Sequence, residues 1–147
     1  MDNYHYIIAG LPDLIPDLGN QQISYAEVSE RILSNLSQKD RQLVKWFEFG
    51  STPENLTPHF YHNIKKLKNR FLNDYFAFDL NMRNAQVRYL ATKESFDESK
   101  YTLGKVETSY EEYPRLVQIF ETANIFEREL LLDKFKWNTI TDLTMYH

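Results

Sequence analysis

The stretch Phe76-Ala-Phe-Asp-Leu-Asn-Met-Arg-Asn84 lies at the centre of the longest helical pattern in the chain, from Thr57 to Lys93. An apolar stripe passes through Phe60, Ile64, Leu67, Phe71, Tyr75, Phe78, Met82, Ala85 and Tyr89. Its spacing alternates between threes and fours, which is helical periodicity. One doubled four, Leu67 to Phe71 to Tyr75, is a stutter that a clean coiled coil would not contain. A single helix of about 36 residues would be ~54 Å long, more than a small domain is wide. The pattern therefore predicts a helix that kinks, breaks in two or projects as a strut. From Phe71 to Met82 the apolar positions spread around the cylinder, as they do in a helix surrounded by other elements. Four strongly polar residues, Asp79, Asn81, Arg83 and Asn84, interrupt this aromatic block and must reach water, find partners or serve a function.

Working outward, other helix signals flank the centre. Ser24-Tyr-Ala-Glu27 is a capping box that opens a helix through Val28, Ile32 and Leu36. Ser37-Gln-Lys-Asp40 starts a second helix, which should stop at Gly50 in a left-handed cap. Thr52-Pro53 and Thr57-Pro58 each place proline behind a threonine cap, so the central pattern begins at one of them. Tyr4 to Leu11 is short and apolar, a strand or one to two turns of helix. Pro12 to Gly19 reads as an extended loop and Glu94 to Ser109 as a polar connection. Pro114 opens another helical run, and Asn124-Ile-Phe-Glu127 caps the next. Asn138 or Thr139 would cap a last helix containing Ile140 and Leu143. That pattern is still apolar at Tyr146-His147, which leads to the expectation that more chain or a partner surface completes it. These elements predict an all-α bundle around a long central helix, as a single helical domain over residues 1–147.

Composition narrows the function classes. The 147 residues are 42% hydrophobic and 15% aromatic, which suits a packed core. Four glycines are few for folds that need many tight turns. A net charge of −4 gives no reason to expect nucleic acid as a partner. With no cysteine there is no disulfide, thiolate nucleophile or cysteine-held metal. The N-terminus lacks the basic region of a signal peptide, and no apolar run approaches the ~20 residues needed to span a bilayer.

Each chemically suggestive cluster also has a plain packing explanation. Asp79 and Arg83 are four apart in the favourable order for an intrahelical ion pair. Asn81, Asn84 and Arg88 fall on a neighbouring face. Together they suggest a polar docking surface or a crossing to another helix, or, more simply, groups that satisfy carbonyls and fix packing register. If the pair is buried, Arg83→Ala should destabilise by roughly 2–4 kcal/mol. His59 and His62 are three apart, but no Glu-x-x-His partner motif accompanies them, so they read as rim residues and no metal site is expected. Lys65, Lys66, Lys68 and Arg70 read as a solvated face whose best functional use is an acidic protein partner. No triad, phosphate-cradling glycine loop or metal motif can be recognised, so neither an enzyme nor a cofactor is expected.

Three segments, Tyr4-His-Tyr-Ile-Ile-Ala-Gly-Leu-Pro-Asp13, Phe76 to Asn84, and Glu127-Arg-Glu-Leu-Leu-Leu-Asp-Lys-Phe-Lys-Trp137, resemble an uncharacterised bacterial family common in Bacteroidetes. Its genes accompany V-type ATPase operons, and it is similar to the C subunit of those motors, called d in the eukaryotic complex. Members are longer than this chain, which matches their N-terminal portion. The resemblance implies an all-α, non-catalytic subunit, cytoplasmic and peripheral at the inner membrane, with the stalk subunits and the membrane ring as partners. It carries over Asp79, Asn81, Arg83 and Asn84 as signature positions only. The alternative reading is a stand-alone helical interaction module, or adaptor, that forms a homodimer when isolated.

Overall fold

The computed structural model describes residues 4–13, 23–104 and 109–145. Among them are seven α-helices and no strand, so the fold is all-α. The chain expected as one domain packs as two compact units, Met1–Ser51 and Thr52–His147. No helix of the described residues is long and apolar enough to cross a membrane.

The first unit holds α1 (His5–Ala9), α2 (Tyr25–Asn35) and α3 (Gln38–Gly50). Tyr4 to Leu11 thus forms a short helix. Of the loop expected over Pro12 to Gly19, residues 14–19 lie outside the described residues. Both serine caps form: Ser24 Oγ accepts from the Glu27 N–H at 3.4 Å, and Ser37 Oγ accepts from the Asp40 N–H at 3.1 Å. The α1 segment is fastened to the start of α3 through one phenol. Tyr4 Oη donates to Asp40 Oδ2 at 2.7 Å and accepts from the Ser37 N–H at 3.1 Å. These donors, Tyr4 first and then Ser37, hold the Asp40 carboxyl below its ordinary pKa. The link is therefore intact above pH 3.8 and weakens as pH falls through the lowered value.

Helix α3 ends at Gly50 as expected, but not through a left-handed cap. Ser51 stays in the right-handed helical region and closes the turn with its N–H on Phe47 O and Glu48 O. The stop comes two residues on, where Thr52 is extended because it precedes Pro53.

In the second unit, both threonine–proline pairs start a helical piece. Pro53–Asn55 is a 3-10 turn, and α4 spans Pro58–Lys66, its Thr57 Oγ1 accepting from the Phe60 N–H at 3.2 Å. The long pattern then breaks in two at the stutter. Lys68 takes a φ of 52°, which no helix can propagate, and Asn69 restarts the chain as the N-cap of α5 (Arg70–Glu94). Its Oδ1 accepts from the Leu72 N–H at 2.9 Å. Asn69 reads in the sequence as one of several outward polar residues; only the break shows that it is a cap.

Helix α5 ends at Ser95, itself left-handed at φ 56°, and a 3-10 turn follows at Glu98–Lys100. Residues 105–108 of the expected connection lie outside the described residues. Next come α6 (Tyr113–Phe120), with Pro114 in its first turn, and α7 (Ile125–Met145), where Asn124 Oδ1 accepts from the Glu127 N–H at 3.0 Å. The separate last helix expected at Asn138 or Thr139 does not exist, because α7 runs through both. The Thr139 hydroxyl bonds back one turn instead of capping, to Phe135 O at 3.1 Å, and Thr141 likewise bonds to Trp137 O at 2.9 Å.

Within this unit α5 touches α4, α6, α7 and the 3-10 turn at Glu98–Lys100, so it is the central rod its residue pattern predicts. Toward α4 lie Phe60, Ile64, Leu72 and Phe76, with the rings of Phe60 and Phe76 edge to face at 4.9 Å. A second cluster of Met82, Ala85, Leu116, Ile119, Phe120, Leu132 and Phe135 joins α5 to α6 and α7. Two aromatic-lined faces explain why the helix carries apolar residues all round.

Candidate functional site

The polar residues of α5 do not converge on one point. Asp79 is buried, only 6% exposed, and its Oδ2 accepts from Arg83 Nε at 2.7 Å. The Arg83 side chain keeps 38% of its surface in water, so the ion pair is anchored at its carboxylate end. Tyr61 of α4 and Tyr75 of α5 lie in the field of this pair. Burial first, and the Asp79 charge second, push the Tyr61 phenol up to about 12. Tyr75 is raised for the same reasons in the same order.

Asn84 does something different. Its side-chain amide reads the backbone of Leu103 at both ends: Nδ2 donates to Leu103 O at 2.9 Å, and Oδ1 accepts from the Leu103 N–H at 3.0 Å. A buried amide used in this way imitates one rung of a strand ladder, and it pins the segment after the Glu98–Lys100 turn to the central helix. The next residue, Gly104, has a φ of 68°, where a side chain would be strained. Arg88 places its guanidinium 4.3 Å from the centre of the Tyr113 ring, a cation–π contact that ties α5 to the start of α6.

Asn81 points elsewhere, into a groove of about 680 Å³ between α4, α5 and the Leu103–Gly104 segment. Tyr61, His62 and Lys65 line its α4 side, and Asn73, Asp74 and Asn81 its α5 side. Asp74 is also 3.6 Å from Arg70, an exposed ion pair worth little. His59 and His62 are both exposed at the start of α4. Among the described residues no group of three or more histidine or carboxylate side chains could hold a metal ion. Of the basic run, Lys65 and Lys66 fall in the last turn of α4, where positive charge complements the helix dipole.

The sequence offers no sign of three partners found here: the Leu103 backbone, Tyr61 and the Tyr113 ring. All are separated from their α5 contacts by turns whose path the sequence does not fix. Spacing reveals only the Asp79–Arg83 pair, since both members share one helix.

Two expectations follow from this geometry. Arg83→Ala strands a buried carboxylate, while the half-exposed position of Arg83 lets water replace part of what it supplied. A loss of about 2 kcal/mol is expected, below the roughly 3–5 kcal/mol of a fully buried pair that is broken. Asp79→Asn combined with Arg83→Ala should cost less than Arg83→Ala alone, as measured by urea unfolding. Equal losses would mean that the carboxylate is not the stranded group.

The second concerns Tyr61, whose buried Oη has no hydrogen-bond partner. Tyr61→Phe removes an unsatisfied hydroxyl and should stabilise the fold by about 1 kcal/mol at neutral pH. It should also flatten the alkaline loss of stability. Below pH 10.0 the phenol is protonated whether the chain is folded or not, and the folded state keeps its full advantage. Between that value and about 12 the unfolded chain ionises while the folded one resists, so stability falls as pH rises. Urea midpoints measured across that window should decline less steeply in the variant, with the remaining slope belonging partly to Tyr75. A parallel decline would show that Tyr61 is not the group responsible.

No curated protein and no solved structure matches the chain. A family model described as "Protein of unknown function (DUF2764)" does, over residues 1–56 and 48–111, which takes in Asp79, Asn81, Arg83, Asn84 and Arg88 of α5. With most of its length covered by that model, from the first residue through the central helix, the chain belongs to the DUF2764 family.

Proposed function

We propose that this protein is a non-catalytic accessory or C/d-like subunit of a V-type ATPase, linking the central stalk and the membrane ring by surface contact. The reading is supported by the resemblance in motif order along the chain. It is also supported by how the signature residues are used: Asp79 and Arg83 pair along the central helix and Asn84 pins a turn to it, the work of a scaffold. The observation that carries it is α7. One side of this helix enters the core through Leu132 and Phe135. Outside that side it carries Ile125 and Phe126, 67% and 66% exposed, and the exposed Leu130 and Leu131. Apolar side chains gathered on one exposed helix mark a surface that another protein covers. The protein would then sit in the cytoplasm, peripheral at the inner membrane through the complex.

The test is purification from the native cell with a tag on this chain. Stalk and ring subunits should accompany it in fixed proportion. An intact ATPase isolated without this chain, at full coupled activity, would overturn the proposal. A concentration-dependent homodimer free of ATPase subunits would favour the adaptor reading in its place.

A further inference from the structure

The α6 and α7 helices meet along a second, smaller groove of about 320 Å³. Each helix contributes residues at i, i+3 and i+4: Arg115, Gln118 and Ile119 from α6, and Leu131, Lys134 and Phe135 from α7. This spacing places three side chains on one face of each helix, so the groove runs between two helical ridges. Its floor is apolar, formed by the buried Ile119 and Phe135. Its charged walls are both cationic. Arg115 holds its guanidinium 5.2 Å from the centre of the Phe135 ring, above the floor. Its acidic neighbour Glu112 is 3.8 Å away, with both side chains about half exposed, a weak tie that a better partner can displace. Lys134 has no ion pair among the described residues. No carboxylate lines the groove.

We propose that this groove is the docking site for an acidic amphipathic helix of another protein, seated by one bulky apolar side chain between Ile119 and Phe135. Its carboxylates, one turn to either side, meet Arg115 and Lys134. The proposal rests on the reading of a contact-making subunit, and it adds the address and chemistry of the contact. Charge complementarity selects the partner. A chain of net charge −4 repels an acidic segment over most of its surface, and a cation-lined apolar slot reverses that locally. The described residues offer no strand edge for an extended peptide to join, whereas two helical ridges accept a third helix by the ordinary packing of side chains into grooves. The exposed Leu131 at the rim, and Leu130 beside it, extend the apolar contact beyond the slot.

The probe is a short alanine-based helical peptide presenting one leucine with glutamates four residues to either side, titrated into the isotope-labelled full chain. The backbone amide signals of Ile119, Leu131, Lys134 and Phe135 should shift together and saturate. Lys134→Glu, an exposed and structurally mild change, should weaken binding roughly tenfold. The same peptide with lysines in place of glutamates should bind Lys134→Glu better than it binds the native chain. No shift at millimolar peptide, shifts elsewhere, or equal binding of the two peptides would overturn the proposal. So would groove signals that move with protein concentration alone, since the occupant would then be a second copy. Because the titration needs no ATPase, its failure is separable from that of the proposed function. If Lys134→Glu still co-purifies with the ATPase at the native proportion, the groove assignment falls and the functional reading stands.

Discussion

Phe76→Ala is expected to remove about 3–5 kcal/mol of folding stability, a large share of what a domain of this size possesses. Phe76 is 1% exposed and fully enclosed. Its ring stands edge to face with Phe60 at 4.9 Å, and Tyr75 packs against it at 5.1 Å. Truncation loses the transfer energy of the ring and leaves a cavity between α4 and α5 that two rigid aromatic neighbours cannot close. Phe76→Leu keeps most of the apolar contact and should cost clearly less. Urea unfolding, followed by far-ultraviolet circular dichroism, measures both. If the alanine variant lost less than about 1 kcal/mol, the α4–α5 contact would not be a principal part of the core.

Asn84→Ala should cost about 2–4 kcal/mol, because it strands two backbone groups at once. The Leu103 N–H and C=O both lose their partner, and the side chain removed is itself buried at 5% exposure. Asn84→Asp makes a sharper test. It still accepts from the Leu103 N–H, but it turns a second oxygen toward the Leu103 carbonyl, so it should rescue little. Hydrogen exchange supplies the local readout. In the alanine variant the Leu103 amide should lose its protection well before the amides of α5 do. Unchanged protection at Leu103 would show that the segment is held by something other than this side chain.

The two predictions differ in how far they could be foreseen. That Phe76 lies inside follows from periodicity, since it falls among apolar positions spread around a helix too hydrophobic to stand alone. That Asn84 clasps Leu103 does not follow, because hydrogen bonds between residues nineteen apart depend on the path of the intervening turn. The same division recurs along α5. The Asp79–Arg83 pair is readable from a spacing of four, whereas the neighbourhood of Tyr61, where burial pushes the phenol up to about 12, is not. Asn81, Asn84 and Arg88 share a face by spacing, yet they end in a groove, on a backbone segment and over a ring.

By itself the sequence determined the all-α class, the capping residues Ser24, Ser37 and Asn124, a threonine–proline start at Thr52 or Thr57, and the identity of the central rod. These are local or periodic properties, fixed by each residue's own backbone and by neighbours within about one helical turn. It also marked the stutter at which the long pattern breaks. Only the tertiary structure decided that the break is a true interruption, with Lys68 left-handed and Asn69 restarting the helix, and that α7 continues through the apparent caps at Asn138 and Thr139. A helix ends or continues according to what its faces can pack against, and that depends on where distant segments lie. The same reason governs the polar residues of α5, whose chemistry was set less by their spacing than by the partners that folding brought to each of them.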